Sequence, residues 1–112
     1  MKSKAKIDAG VCGFKTIVTA TSEDNMNVDL KIVSPCDIIK ELAAQIAEIA
    51  PVNAYQDIGP QKVSAILEIS QSLLMKKGCC EACIVPAGIC KAMYVASGLA
   101  LPKDATLIIS SE

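Results

Sequence analysis

Asn27-Val-Asp-Leu-Lys-Ile-Val-Ser-Pro-Cys-Asp37 changes its period midway. Val28, Leu30 and Ile32 alternate with Asp29 and Lys31, the two-residue period of a strand with one wet face. Ser34-Pro35-Cys36-Asp37 then carries helix-start chemistry. Ser34 suits an N-cap, Pro35 the first helical position, and Asp37 the acid of a capping box. Ile38, Ile39, Leu42, Ile46 and Ile49 follow at helical spacing until Pro51 ends the run. A strand period that hands over to a helix period places the β-part of the chain first and the α-part after it.

Working back from this junction, Lys4 to Ala9 alternates, with Ala5, Ile7 and Ala9 opposed to Lys4, Lys6 and Asp8. Gly10-Val11-Cys12-Gly13 breaks that strand, and Phe14 to Thr21 is rich in the β-branched residues of a second one. Ser22 to Asn27 is a polar turn, so the three strands read as an antiparallel meander. Working forward, Pro51 to Pro60 has no periodicity and reads as a connection. The spacing of Val63, Ile66, Leu67, Ser70 and Leu74 predicts a helix from about Gln61 to Lys77, with Gly78 as its C-terminal cap. Pro86 opens a third helix that Gly98 closes, and Ala105 to Ser110 reads as a last strand. The expectation is a single α+β domain over residues 1–112: an antiparallel three-stranded β-meander, three helices and a short C-terminal strand.

The chain has 112 residues, long enough to bury a core without staples. Hydrophobic residues make up 52% but aromatics only 3%, so the core is expected to be aliphatic. Every basic residue is Lys, and the formal charge is -1. Without Arg the chain lacks the usual bidentate reader of phosphate and guanine, and no nucleic-acid partner is expected. It has no His, which removes the commonest general base and the commonest metal ligand. An acid–base enzyme is therefore not expected, and no catalytic residue is marked. Met1 to Gly10 has no apolar signal region, and no uncharged run is long enough to cross a bilayer, so the expected place is the cytoplasm, away from membranes. The apolar excess allows a homo-oligomer.

Six cysteines in a reducing compartment point to metal or thiol chemistry before disulfides. Cys12 lies between two glycines, where backbone freedom lets a loop close on a ligand or simply turn. Cys36 lies at a helix start, where free N–H groups and the dipole favour a thiolate; as a small buried residue it would need neither. Cys80 and Cys83 form C-x-x-C, able to grip one metal ion or to act as a dithiol. Cys79 can replace Cys80 as a ligand or stand as a spare thiol. Asp37 and Glu81 are the nearest acids in sequence, and each has a plainer role, in capping and in solvent. Cys90, among Ile89, Met93 and Tyr94, reads as core.

Three motifs carry a resemblance: Gly10-Val11-Cys12-Gly13-Phe14, Ser34-Pro35-Cys36, and Cys80-Glu81-Ala82-Cys83 with the helix to Lys91. Together with the meander, they make residues 4–98 resemble the iron–sulfur assembly scaffolds (the NifU-like N-terminal domain) and the TSCPD-type domains. They also resemble small proteins of anaerobic microbes with G-x-C-G-F, S-x-C and C-x-V-P-x-x-x-x-K-A. The resemblance implies that Cys12, Cys36 and Cys83 converge at one end of the sheet, with Cys80 or Cys79 as fourth ligand. It also implies an iron–sulfur cluster or zinc as the bound group, and a protein partner in cluster handling. Scaffolds carry an acid where this chain has Phe14 and a His where it has Ala82. Those departures favour a firmly held cluster or structural zinc over hand-over. Three functions follow: a non-enzymatic thiolate metal module, a thiol–disulfide redox protein using Cys80 and Cys83, or a structural protein with core cysteines.

Overall fold

The computed structural model describes all residues from Met1 to Glu112. Three seven-residue strands come first: β1 (Lys2–Asp8), β2 (Lys15–Thr21) and β3 (Asn27–Val33). They pair antiparallel in chain order, with Ala5 opposite Val18 and Ala20 opposite Leu30. The alternation seen in the sequence sets the faces. Ile7, Thr16, Val18, Ala20 and Val28 are buried, while Lys4, Lys6, Lys15, Asp29 and Lys31 face solvent. The hairpin turns differ in chemistry. Asp24 closes the second by accepting from the Met26 and Asn27 N–H groups and from the Asn27 side chain, and these bonds hold its carboxyl below the usual range.

Four helices follow: α1 (Asp37–Ile49), the single turn α2 (Ala54–Asp57), α3 (Ala65–Lys76) and α4 (Val85–Ala96). α4 lies across β1, β2 and β3, α1 packs on β3 and α3, and α3 touches α4. The molecule is thus two-layered, with one sheet face covered and the other open. Ile39, Leu42 and Ile46 from α1, Ile66, Leu73 and Leu74 from α3, and Ile89, Ala92, Met93 and Ala96 from α4 supply the helical side of the core. Gly88 lets α4 approach closely: a Cβ there would overlap Ile7 Cδ1 and lie 2.8 Å from Ile7 Cγ1. Higher on the same contact, the Ser3 hydroxyl donates to the Ala92 carbonyl at 2.5 Å.

The α+β class and the three-stranded meander are as the sequence predicts, and the details differ in five places, the first being α2, a fourth helix of one turn inside the stretch from Pro51 to Pro60 that reads as a connection. The sheet has a fourth strand, β4 (Val52–Asn53), paired with β3 where Val52 lies opposite Val28. A two-residue strand carries no period of its own, so only its partner makes it visible. α1 starts at Asp37 with Cys36 as N-cap, because the buried Ser34 is otherwise engaged. Its hydroxyl accepts from Thr16 Oγ1 at 2.9 Å and from the Cys36 N–H at 3.2 Å, pinning the β3–α1 junction to β2. α3 starts at Ala65 rather than near Gln61, capped by Ser64, and Val63 is exposed. Residues 105–110 form no strand and are exposed throughout, since no strand of the chain lies beside them. No helix is long and apolar enough to cross a membrane.

Candidate metal centre

Three chain segments meet at one end of the sheet. The register puts Asp8 opposite Lys15 and Ile17 opposite Val33, so the β1–β2 turn and the exit of β3 lie at the same end. In that turn Gly10 and Gly13 both adopt positive φ, at 89° and 76°, which favours glycine over any other residue. The Gly13 N–H donates to the Gly10 carbonyl at 2.9 Å, and the Gly10 N–H to Asp8 Oδ1 at 2.9 Å. Cys12 is thereby held, exposed, at the tip of the first hairpin. Cys36 follows β3 as the N-cap of α1, half-buried, with its own N–H fixed by Ser34.

The third segment is the turn between α3 and α4. Gly78, at φ 71°, ends α3, and the Cys79 N–H reaches back to the Leu74 carbonyl at 2.9 Å. That six-to-one bond is the Schellman closure. It folds Cys79 against the helix end, leaving Cys79 half-buried and Cys80 exposed. A further turn, closed by the Cys83 N–H on the Cys80 carbonyl at 3.3 Å, delivers Cys83 to the entrance of α4. Cys83 is half-buried against the core, as is Cys36.

Cys83 reports on the gathering of these thiols. Burial pushes its thiol above the ordinary value, the Val85 N–H bonds to the sulfur and partly offsets this, and the charges of Cys79, Cys12 and Cys36 raise it further. Three of the other predicted ligands, Cys12, Cys36 and Cys79, are therefore within electrostatic range of Cys83. As the side chains stand, no group of three or more Cys, Asp or Glu is drawn close enough to hold an ion. Asp37 is exposed and pairs with Lys40 at 3.8 Å, and exposed Glu81 accepts from Gln71 at 3.4 Å, so neither acid turns to the thiols.

Cys90 lies apart, 3% exposed inside α4. Its sulfur is 3.9 Å from the Ser64 hydroxyl, which donates to Asp57 Oδ2 at 2.5 Å, while the Ala65 N–H donates to Asp57 Oδ1 at 2.7 Å. Burial pushes the Cys90 thiol up to about 11, the Ser64 hydroxyl offsets part of this, and the Asp57 carboxylate adds to it. The sequence reading passed over this buried Asp57–Ser64 pair, because residues 51–60 show no period. The available signal is Ser64 directly before the apolar Ala65-Ile66, an N-cap that needs a partner when buried.

These donors are soft and there is no imidazole among them, which is the donor set of zinc or an iron–sulfur cluster rather than of magnesium or calcium. No curated protein and no solved structure matches the chain. The match that the chain does make, over residues 3–109, takes in the meander, all six cysteines and all four helices, and by it the chain belongs to DUF6951, a family of unknown function.

Proposed function

We propose that this protein is a non-enzymatic thiolate metal module in which Cys12, Cys36, Cys79 and Cys83 hold an iron–sulfur cluster or a zinc ion. The observation that carries this reading is that the β1–β2 turn, the exit of β3 and the entrance of α4, which lies beside Ile7, bring Cys12, Cys36, Cys79 and Cys83 to one end of the sheet. Several thiolates gathered at one end of a sheet repel one another, and a cation among them removes that repulsion. Cys36 and Cys83 both sit at helix starts, where unpaired N–H groups favour negative sulfur. The Cys12 loop, with two glycines and an exposed thiol, is the segment able to close the remaining gap.

The same reading extends to kinship with the iron–sulfur assembly scaffolds, supported by the meander and by the three places where cysteines enter the site. Phe14 and Ala82 stand where scaffolds carry an acid and a His, so this centre is held rather than handed on. A bound centre would supply positive charge to the thiolates and, as a cluster, one-electron chemistry. Binding displaces thiol protons, so affinity for the metal rises with pH, and the raised Cys83 thiol extends that rise to higher pH.

The test is metal and acid-labile sulfide content with an absorption spectrum, on protein purified without oxygen and supplied with iron and zinc. Brown protein with iron and sulfide means a cluster, and colourless protein with stoichiometric zinc means a thiolate zinc site. Metal-free protein with freely titratable thiols overturns the proposal in favour of dithiol chemistry at Cys80 and Cys83 or plain core cysteines.

A further inference from the structure

The sheet has one open edge of full length. β1 pairs with β2 alone. The Ala9 N–H donates to the Phe14 carbonyl, and the Met1 carbonyl accepts from the Ser22 N–H. Both bonds belong to odd-numbered positions, so in an antiparallel ladder the even positions, Lys2, Lys4, Lys6 and Asp8, turn their N–H and C=O groups away from β2. Those groups form a ready template for another strand. On the covered face, Ser3, Ala5 and Ala9 are small and only half-buried, so the rim of the core is open along this edge.

The chain also carries a strand without a sheet. Ala105-Thr-Leu-Ile-Ile-Ser110 is short, apolar and rich in β-formers. Leu107 is 70% exposed, Ile108 95% and Ile109 89%, so the segment runs clear of its own fold. An exposed apolar segment of this kind and an exposed edge are each a liability alone. All of both but Lys2 and Ser110 lies within the span that matches the family.

We propose that residues 105–110 add as a strand to the β1 edge of a second copy of this chain, and that the exchange is reciprocal, giving a two-fold dimer. Alternation places Leu107 and Ile109 on one face of the added strand, beside Ala5 and Ile7, where they close the open rim of the core. Thr106, Ile108 and Ser110 then extend the outer face. Charge selects the tail over a second β1. Two β1 edges would set Lys2, Lys4 and Lys6 against one another, which is destabilising. The tail has no charge from Ala105 to Ser111 and is flanked by Asp104 and Glu112.

Sedimentation equilibrium on the full chain tests this, using the wild type, a tail variant (Leu107→Asp with Ile109→Asp) and an edge variant (Lys4→Pro). The tail positions are exposed, so the tail variant keeps its fold, checked by its thermal melt. Lys4→Pro removes an outward N–H and leaves the β1–β2 ladder intact. The wild type is expected to be a dimer, and each variant a monomer of half that mass. An equimolar mixture of the two variants is expected to regain a dimer, since one contributes an intact tail and the other an intact edge. Hydrogen exchange at residues 105–110 should slow with rising wild-type concentration. A wild type that stays monomeric into the submillimolar range overturns the proposal, including one with protected tail amides, which would place the tail on its own sheet. A tail variant that remains dimeric overturns it equally, and should Lys4→Pro fail to fold, the tail variant decides alone.

Discussion

Cys83 and Cys90 stand about two helical turns apart, one at the entrance of α4 and the other inside it. Both thiols are pushed up, and burial is the first cause for each. What differs is the company. Around Cys90 the neighbours are a hydroxyl, a phenol and a carboxylate already occupied by two hydrogen bonds. Around Cys83 they are three more thiols and a main-chain N–H. Burial alone makes an inert thiol. Burial beside other thiols makes a group that a soft cation would relieve. On the proposed reading, one residue type on one helix thus has two roles, decided by what the turns before α1 and α4 bring to the sheet end.

Breaking that contrast should give the largest effect. Cys83→Ser is expected to remove metal retention, measured as metal per chain after desalting, while Cys90→Ala keeps it at the wild-type level. Cys79→Ser should follow Cys83→Ser, and Cys80→Ser should follow Cys90→Ala. If Cys80→Ser loses the metal and Cys79→Ser does not, the turn at Gly78 has been assigned to the wrong sulfur.

That last choice shows what the sequence could and could not carry. The meander was legible because each strand has one wet face, and alternation records it residue by residue. The turn and helix-start positions of Cys12, Cys36 and Cys83 were legible because glycines and helix-start residues surround them. Cys79 against Cys80 was not, since both follow the same glycine. What separates them is the Cys79 N–H closing on Leu74, with Cys79 half-buried and Cys80 exposed. β4 was invisible because Val52 becomes a strand only by lying against Val28. Residues 105–110 show the converse: strand chemistry is present, and their own chain offers no partner.

The next effect sharpens the contrast through pH. Cys90 is raised from an ordinary value of 9.0 to about 11. A raised thiol stabilises the fold fully below the unfolded pKa, and the stabilisation is lost as pH rises through the folded one. Chelator-treated protein should therefore lose on the order of 2 kcal/mol between pH ~9 and ~11, read from urea midpoints. Tyr94, pushed up to about 12 by burial and by Cys90, extends the loss upward. Cys90→Ala should flatten the limb across that window. An unchanged limb would mean that Cys90 is not what titrates. With metal bound, Cys83 is held as a thiolate and should add nothing to the slope, whereas in the metal-free protein it adds in the same direction.

The smallest effect tests whether α4 carries both cysteines as one rigid body. Gly88 lies between them and faces Ile7, with no room for a Cβ. Gly88→Ala gains roughly 1 kcal/mol in helix propensity and loses about 2 kcal/mol to overpacking, a net cost of ~1 kcal/mol. Ile7→Val removes the Cδ1 that is struck first, so the double variant should recover part of that cost. The coupling between the two positions, read from a double-mutant cycle in urea, should be at least about 0.5 kcal/mol. Metal affinity distinguishes how the strain is relieved. If α4 stays rigid and slides along β1, Cys83 moves with Cys90, and affinity falls together with stability. If Ile7 alone gives way, stability falls and affinity holds. The second outcome is expected, because the Ser3 hydroxyl bond to Ala92 and the buried Ala92, Met93 and Ala96 fix the far half of α4 against the sheet. The Ile7 side chain is the softer element in that contact.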